Sequence, residues 1–86
     1  MRQMTAEEFE AALDQIGVTH RGFGRLVDLD ERTVRRMVAG DREVMQSIAI
    51  LITIMIKKKI SVAQVLKLMD DPRDPREFTD QRVKEQ

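Results

Sequence analysis

Residues 19–40 read THRGFGRLVDLDERTVRRMVAG, and this stretch predicts two short helices joined by a sharp turn. Thr19 is a suitable N-cap for the first helix, because its hydroxyl can accept a hydrogen bond from an amide of the first turn. Asp28 comes where the chain must turn, and Asp tolerates the left-handed backbone conformation better than most residues. Asp30 can then cap the second helix, and Gly40 can end it. The stretch therefore has the pattern of a helix-turn-helix.

The second helix of this pair has one apolar side and one basic side. Val34, Met37 and Val38 fall on one stripe at helical spacing. The side chains expected to point away from the core are Glu31, Arg32, Arg35 and Arg36. Three guanidinium groups on one exposed face suit the guanine edges and phosphates of a DNA major groove. The alternative is a plain helical hairpin with a solvated basic face.

Three segments of this region carry a resemblance to a known family. GVTHRGFGRL (17–26), DERTVRRM (30–37) and GDR (40–42) resemble the Xre/Cro-like (lambda-repressor-like) helix-turn-helix regulators, including the small phage and mobile-element members. The resemblance covers roughly residues 5–56. Two positions depart from it, since Asp28 stands where Gly is usual and Met37 where Trp is frequent.

The resemblance implies roles for individual residues. Gly24 would be the small residue at which the two motif helices touch. The residues expected to reach bases are Glu31, Arg32 and Arg36. The resemblance places Thr19, His20 and Arg21 at the phosphate-facing start of the first motif helix, and we expect Arg25, Arg35 and Arg42 to contact phosphates as well.

Helices are also predicted on either side of the motif. The first runs from about Ala6 to Ile16, starts with a capping box of Thr5 and Glu8, and ends at Gly17. Its expected buried stripe is Phe9, Leu13 and Ile16. A fifth helix follows Ser61, which forms another capping box with Gln64. Its apolar face is expected to consist of Val62, Val65, Leu66 and Met69.

The fourth helix, about Val44 to Lys58, is more apolar than one inward stripe requires. The inward stripe is expected to be Val44, Ile48, Leu51 and Met55. The apolar residues left over are Met45, Ile50, Ile52, Ile54 and Ile56. We expect these to face a second subunit, because a chain of this size can hardly cover them all; the alternative is that the fifth helix covers them. The run is too short for a membrane span, which takes about 20 apolar residues.

The domain organisation expected from these patterns is one all-α domain of about five helices, residues 1–69, that dimerises through its C-terminal helices. Residues 70–86 contain two prolines, many charges and only Phe78 and Val83 as sizeable apolar groups. This segment is expected to be a mobile tail, or a frayed helix that orders on a protein partner.

Composition excludes several other functions. The chain has no Cys and one His, so we expect no metal site, no cofactor and no catalytic residues. It has no Tyr or Trp for stacking on RNA bases. The formal net charge is zero, but Lys and Arg exceed Asp and Glu by 2 in residues 19–42 and by 3 in 43–69, whereas residues 1–18 and 70–86 carry net charges of −3 and −2. Positive charge is thus concentrated in the motif and the two helices after it.

Taken with the resemblance, these features predict a cytoplasmic, homodimeric transcriptional regulator that is not an enzyme. The expected partner is double-stranded DNA with an inverted-repeat operator, and the expected action is repression of a nearby promoter, including its own. Antitoxins and regulators associated with anti-CRISPR genes are both open biological roles. The competing class is a protein-interaction module, such as a toxin-binding antitoxin, that uses the apolar fourth helix and the tail.

Overall fold

The computed structural model describes residues 3–79. The helices in this range are α1 Ala6–Ile16, α2 His20–Val27, α3 Glu31–Ala39, α4 Gln46–Lys57 and α5 Val62–Leu68, followed by a short 3-10 helix, Pro75–Glu77. No strand forms within residues 3–79, where a single bridge pairs Val18 with Thr79. The expected all-α fold of five helices is confirmed.

Side-chain hydrogen bonds cap the starts of three helices. The Thr5 hydroxyl accepts from the Glu8 amide at 3.1 Å, and the Glu8 carboxylate accepts from the Thr5 amide at 2.9 Å. Ser61 and Gln64 form the same reciprocal pair at the start of α5. Thr19 accepts from the third amide of α2 at 2.8 Å. These three of the expected caps are confirmed, so local chemistry sets where these helices begin.

The turn between α2 and α3 forms as the sequence predicted, except for one expected hydrogen bond. Asp28 adopts the left-handed conformation, with φ 63° and ψ 46°. Asp30 occupies the N-cap position of α3, but its side chain makes no capping hydrogen bond, so that detail of the expectation is wrong. A Cβ atom on Gly24 would lie 2.6 Å from the Leu29 carbonyl oxygen. Gly24 is therefore the point at which the turn presses against α2, and only glycine fits there.

The core is built around two phenylalanine rings. Phe9 of α1 and Phe23 of α2 meet edge to face, with ring centroids 5.8 Å apart and planes at 71°. The side chains buried around them, on the helices and in the connection before α4, include Leu13, Val34, Met37, Val44, Ile48, Ile52, Met55, Val62 and Leu66. The inward positions expected on α1 and α3 are confirmed for the residues in this set, while Ile16 and Val38 are only partly buried.

Three residues of the stripe expected to face inward, Val44, Ile48 and Met55, are buried, but Ile52 takes the place of Leu51. Helix α4 begins at Gln46, and its buried residues are Ile48, Ala49, Ile52 and Met55. Ile52 is fully buried and Leu51 only partly, so the prediction that Ile52 faces a second subunit is wrong. Packing of α4 against α1 turns Ile48, Ile52 and Met55 inward, at i, i+4 and i+7, while Val44 is buried in the connection before α4.

The other four residues expected at the dimer interface divide into two groups. Met45 and Ile56 are partly buried against this chain's own core. Ile50 and Ile54 remain exposed, at 44% and 49% of their surface. The apolar excess of α4 is therefore only partly covered within one chain.

Residues 71–79, which we call the strap, pack on the domain although the sequence suggested a mobile tail from residue 70. Phe78 is fully buried in the core. Its carbonyl oxygen accepts from the Thr19 amide at 3.2 Å, and a Cβ atom on Gly22 would lie 2.1 Å from that oxygen. The expected tail is therefore wrong for residues 71–79, while Val83 and the rest of 80–86 lie outside the described residues.

Arg73 ties the strap to the other end of α2. Its guanidinium donates to the Arg25 carbonyl oxygen at 3.2 Å and lies 5.0 Å from the centre of the Phe78 ring. It also pairs with Asp71 at 2.6 Å. The strap therefore holds α2 at both ends, through Arg73 at the last turn and Phe78 at the first.

The end of α5 also differs from expectation. Val62 and Leu66 are buried and Val65 is partly buried, as predicted, but Met69 is 73% exposed. The helix ends at Leu68, so Met69 lies beyond the last helical residue and does not extend the apolar face.

Candidate nucleic-acid interface

Helix α3 presents the basic face that the sequence predicted. Arg32, Arg35 and Arg36 are exposed, whereas Val34 and Met37 on the opposite side are fully buried. The two buried side chains fix the rotation of α3 about its own axis. The three guanidinium groups are thus held on an outer surface by packing behind them.

One of the three arginines is already paired. The Arg35 guanidinium lies 2.5 Å from the Glu31 carboxylate, one turn earlier on the helix. An exposed pair of this kind contributes only about 0.3–0.5 kcal/mol to stability, so a stronger anionic partner could displace it. Neither Arg32 nor Arg36 forms an ion pair with any described residue. The unpaired positive charge of this face therefore lies on Arg32 and Arg36.

The start of α2 lies beside this face. One groove is lined by Thr19, His20 and Arg21 from the start of α2 together with Glu31 and Arg35 from α3. Five of the nine residues expected to contact DNA are thus brought to one groove. The first amides of a helix lack partners within it and carry the positive end of its dipole, so this groove is suited to an anion.

Arg25 and Arg42 lie outside that groove. Arg25 is exposed in the last turn of α2, at the end that Arg73 caps. Arg42 is exposed just past α3, where its amide donates to the Arg36 carbonyl oxygen. Arg25 is thus part of the motif and Arg42 lies just beyond it, but neither lines the groove at the start of α2.

Acidic groups interrupt the basic surface at two places. Asp14 lines the groove at the start of α2, and Asp41 lines a second depression with Arg32 and Arg36. Within residues 3–79 no group of three or more His, Cys, Asp or Glu side chains is placed to hold a metal ion. This surface can therefore contact a ligand through hydrogen bonds and charge, supplied mainly by guanidinium groups.

The strap contributes to this site, and the sequence analysis missed it. Thr79 lines the groove beside Thr19 and His20, and Phe78 anchors the segment directly behind the start of α2. A signal for it exists in the sequence: Asp74 followed by Pro75 is a helix-start pattern, and the Asp74 side chain does accept from the Arg76 amide.

Comparison of the chain with protein-family models, with curated proteins and with solved structures finds no match. The resemblance drawn from the motif residues therefore stays a prediction. In residues 3–79, no helix has both the length and the apolar character needed to cross a bilayer.

Proposed function

We propose that the protein is a sequence-specific DNA-binding transcriptional regulator whose α2 and α3 act as a helix-turn-helix. The observation that carries the proposal is the pair Arg32 and Arg36, exposed and without an ion pair in residues 3–79, on a helix anchored from behind by Val34 and Met37. The major groove of DNA admits one α-helix, and arginine recognises guanine through two hydrogen bonds.

The spacing of the two arginines supports a role in recognising DNA bases. Four residues of α-helix rise about 6 Å, which is close to two base-pair steps of about 3.4 Å. Arg32 and Arg36 would therefore reach different base pairs. Glu31 reaches a base in this proposal only if its pair with Arg35 opens, and Arg35 is then available to a phosphate.

The start of α2 supports a backbone-positioning role. A phosphate in the groove beside Thr19, His20 and Arg21 would meet the positive end of the α2 dipole and one guanidinium. Contacts of this kind set the register of a protein on the duplex, and contacts to base edges then supply specificity.

The biological role follows from size and from the family resemblance. A small DNA-binding domain acts most simply as a repressor that blocks polymerase at an inverted repeat, in the cytoplasm and as a homodimer. Autoregulation, as in antitoxins or regulators of anti-CRISPR genes, fits the same chemistry, and the neighbouring genes would distinguish these roles.

The experiment that tests the proposal is selection of bound sequences from random duplex DNA, followed by footprinting on the best site. We expect an inverted repeat with guanines at defined positions in each half. Lys67→Ala, a change at an exposed residue of α5 that lines neither depression of the basic surface, should leave the enrichment unchanged. Failure to enrich any sequence with the intact protein would contradict the proposal.

A second candidate function is a protein-interaction module, and the exposed Ile50 and Ile54 favour it. A module that binds its partner through the tail has less support, because Phe78 of that tail is buried in this chain's own core. Binding of DNA that barely changes with salt would favour this second function, since neutral contacts release few counterions.

A further inference from the structure

Two large exposed apolar side chains lie along one groove between α1 and α4. Ile50 and Ile54 occupy successive turns of α4, and the groove, of about 620 Å³, has Ala11 on its α1 side. None of the residues that line it belongs to the basic surface of α2 and α3. The groove therefore shares no residue with the surface proposed to contact DNA.

The groove has an acidic end and a basic end. The Gln3 side chain donates to the Val44 carbonyl oxygen at 3.0 Å before the two helices start, and Gln15 and Ile56 line a common pocket where they end. Helices α1 and α4 thus run in the same direction. Glu8, near the start of α1, and Lys57, at the end of α4, consequently lie at opposite ends of the groove.

We propose that this groove seats the same groove of a second copy of the chain, with the two α4 helices antiparallel. In that orientation Lys57 of each copy meets Glu8 of the other, and the Ile50 and Ile54 side chains meet in the centre. A two-fold axis makes both charge contacts at once, as in an isologous interface. A parallel pair would instead place Lys57 against Lys57 and Glu8 against Glu8.

The dimensions suit an inverted repeat. The chain measures 31 × 26 × 22 Å, so one copy fits within the spacing of about 34–36 Å between half-sites that lie one turn of DNA apart. The inference rests on the proposed function only in that two copies would bind the two halves of an inverted repeat. The dimer itself is measured without DNA, so its failure and the failure of DNA binding are separate results.

The first test is sedimentation velocity of the full chain across concentrations. We expect a dimer in the micromolar range and at least a roughly 100-fold weaker dimer for Ile54→Glu, because each interface then buries two unpaired carboxylates. Leu68→Glu is the matched control, since Leu68 is 77% exposed on α5 outside the groove. A monomer in the unmodified protein, a dimer that survives Ile54→Glu, or dissociation by Leu68→Glu would overturn the proposal.

The charge contacts are tested by reversal and rescue. Lys57→Glu should weaken the dimer by bringing like charges together at both ends. Adding Glu8→Gln should restore much of the affinity, because Gln removes one charge and still supplies the oxygen that caps α1. Lys58→Glu, at the neighbouring exposed lysine outside the groove, should have little effect. An effect equal to that of Lys57→Glu, or no rescue, would refute the proposed pairing.

Single cysteines decide the orientation, because the chain has none of its own. In the antiparallel dimer the axis passes near the level of residue 52, so Thr53→Cys should form a homodimeric disulfide. Two Gln46→Cys copies would lie about 18 Å apart along the helices, beyond the reach of a disulfide. Mixing Gln46→Cys with Lys57→Cys should therefore cross-link the two variants only to each other. Cross-linking of Gln46→Cys with itself would show a parallel pair and overturn the proposal.

Discussion

Phe78 should carry a large share of the stability of the domain, although it lies in the segment that looks most like a tail. It is fully buried, and its carbonyl oxygen holds the first residue before α2. Replacing a buried Phe by Ala costs about 3–5 kcal/mol. A chain of this length has a total stability of about 4–13 kcal/mol, so Phe78→Ala should remove roughly a quarter of it or more.

The assay is urea denaturation followed by circular dichroism at 222 nm. With an m-value of about 1 kcal/mol per molar urea, the midpoint should fall by about 3 M or more. Phe78→Leu keeps most of the apolar volume and should lose only about 1–2 kcal/mol. Leu68→Ala removes an exposed side chain of similar size and should change stability by less than about 0.5 kcal/mol. A loss below about 1 kcal/mol for Phe78→Ala would refute the packing of the strap.

Three further predictions concern the strap and the DNA interface. Gly22→Ala should lower the melting temperature although Ala favours helices, because the new Cβ would lie 2.1 Å from the Phe78 carbonyl oxygen; an unchanged melt would contradict this. The hydrogen bond from Arg73 lowers the pKa of the Asp71 carboxyl, so the pair stabilises the fold above the unfolded pKa near 4 and this contribution is lost as pH falls through the lowered value. Arg73→Ala should shift the Asp71 titration, followed by carboxyl NMR, back toward its ordinary range, because it removes the side-chain hydrogen bonds and leaves the one from the amide of residue 73, and an unmoved titration would refute the link. Operator affinity should fall with salt with a log–log slope steeper than about −4, as expected for several phosphate contacts in two subunits, whereas a slope near zero would exclude those contacts.

The features that the sequence predicted well depend on neighbouring residues. Thr5, Thr19 and Ser61 cap their helices through hydrogen bonds that span three residues. Asp28 takes the left-handed conformation because the chain must turn there at once. Interactions this short in range are visible in the order of the residues, so helix starts and the turn could be predicted without any tertiary contact.

The features that the sequence predicted poorly depend on distant contacts. In the sequence, Ile52 looked as suitable for contact with a second subunit as Ile50 and Ile54. The face of α4 that turns inward is decided by the packing of α4 on α1, which the sequence pattern does not show. Phe78 is buried by helices some fifty residues earlier, and Gly22 is required by the Phe78 backbone rather than by its own helix. Neither the burial of Phe78 nor the requirement for glycine at position 22 shows as a pattern among neighbouring residues.

The candidate site stands between these cases. The exposure of Arg32 and Arg36 follows from the apolar stripe behind them and was predicted. The pair between Glu31 and Arg35 follows from their spacing of four residues but was not anticipated. The proximity of His20 to that pair depends on the packing of α2 against α3 and was not predicted.

The most direct test of DNA reading by α3 is the affinity of Arg32→Ala and Arg36→Ala for the selected operator and for its single-base variants. Each folded variant should lose about 1–3 kcal/mol of binding free energy and should lose its preference at one base pair per half-site. Lys67→Ala should keep both the affinity and the preference of the unmodified protein. Folded Arg32→Ala and Arg36→Ala proteins that bind the operator as tightly and as selectively as the unmodified chain would contradict the account.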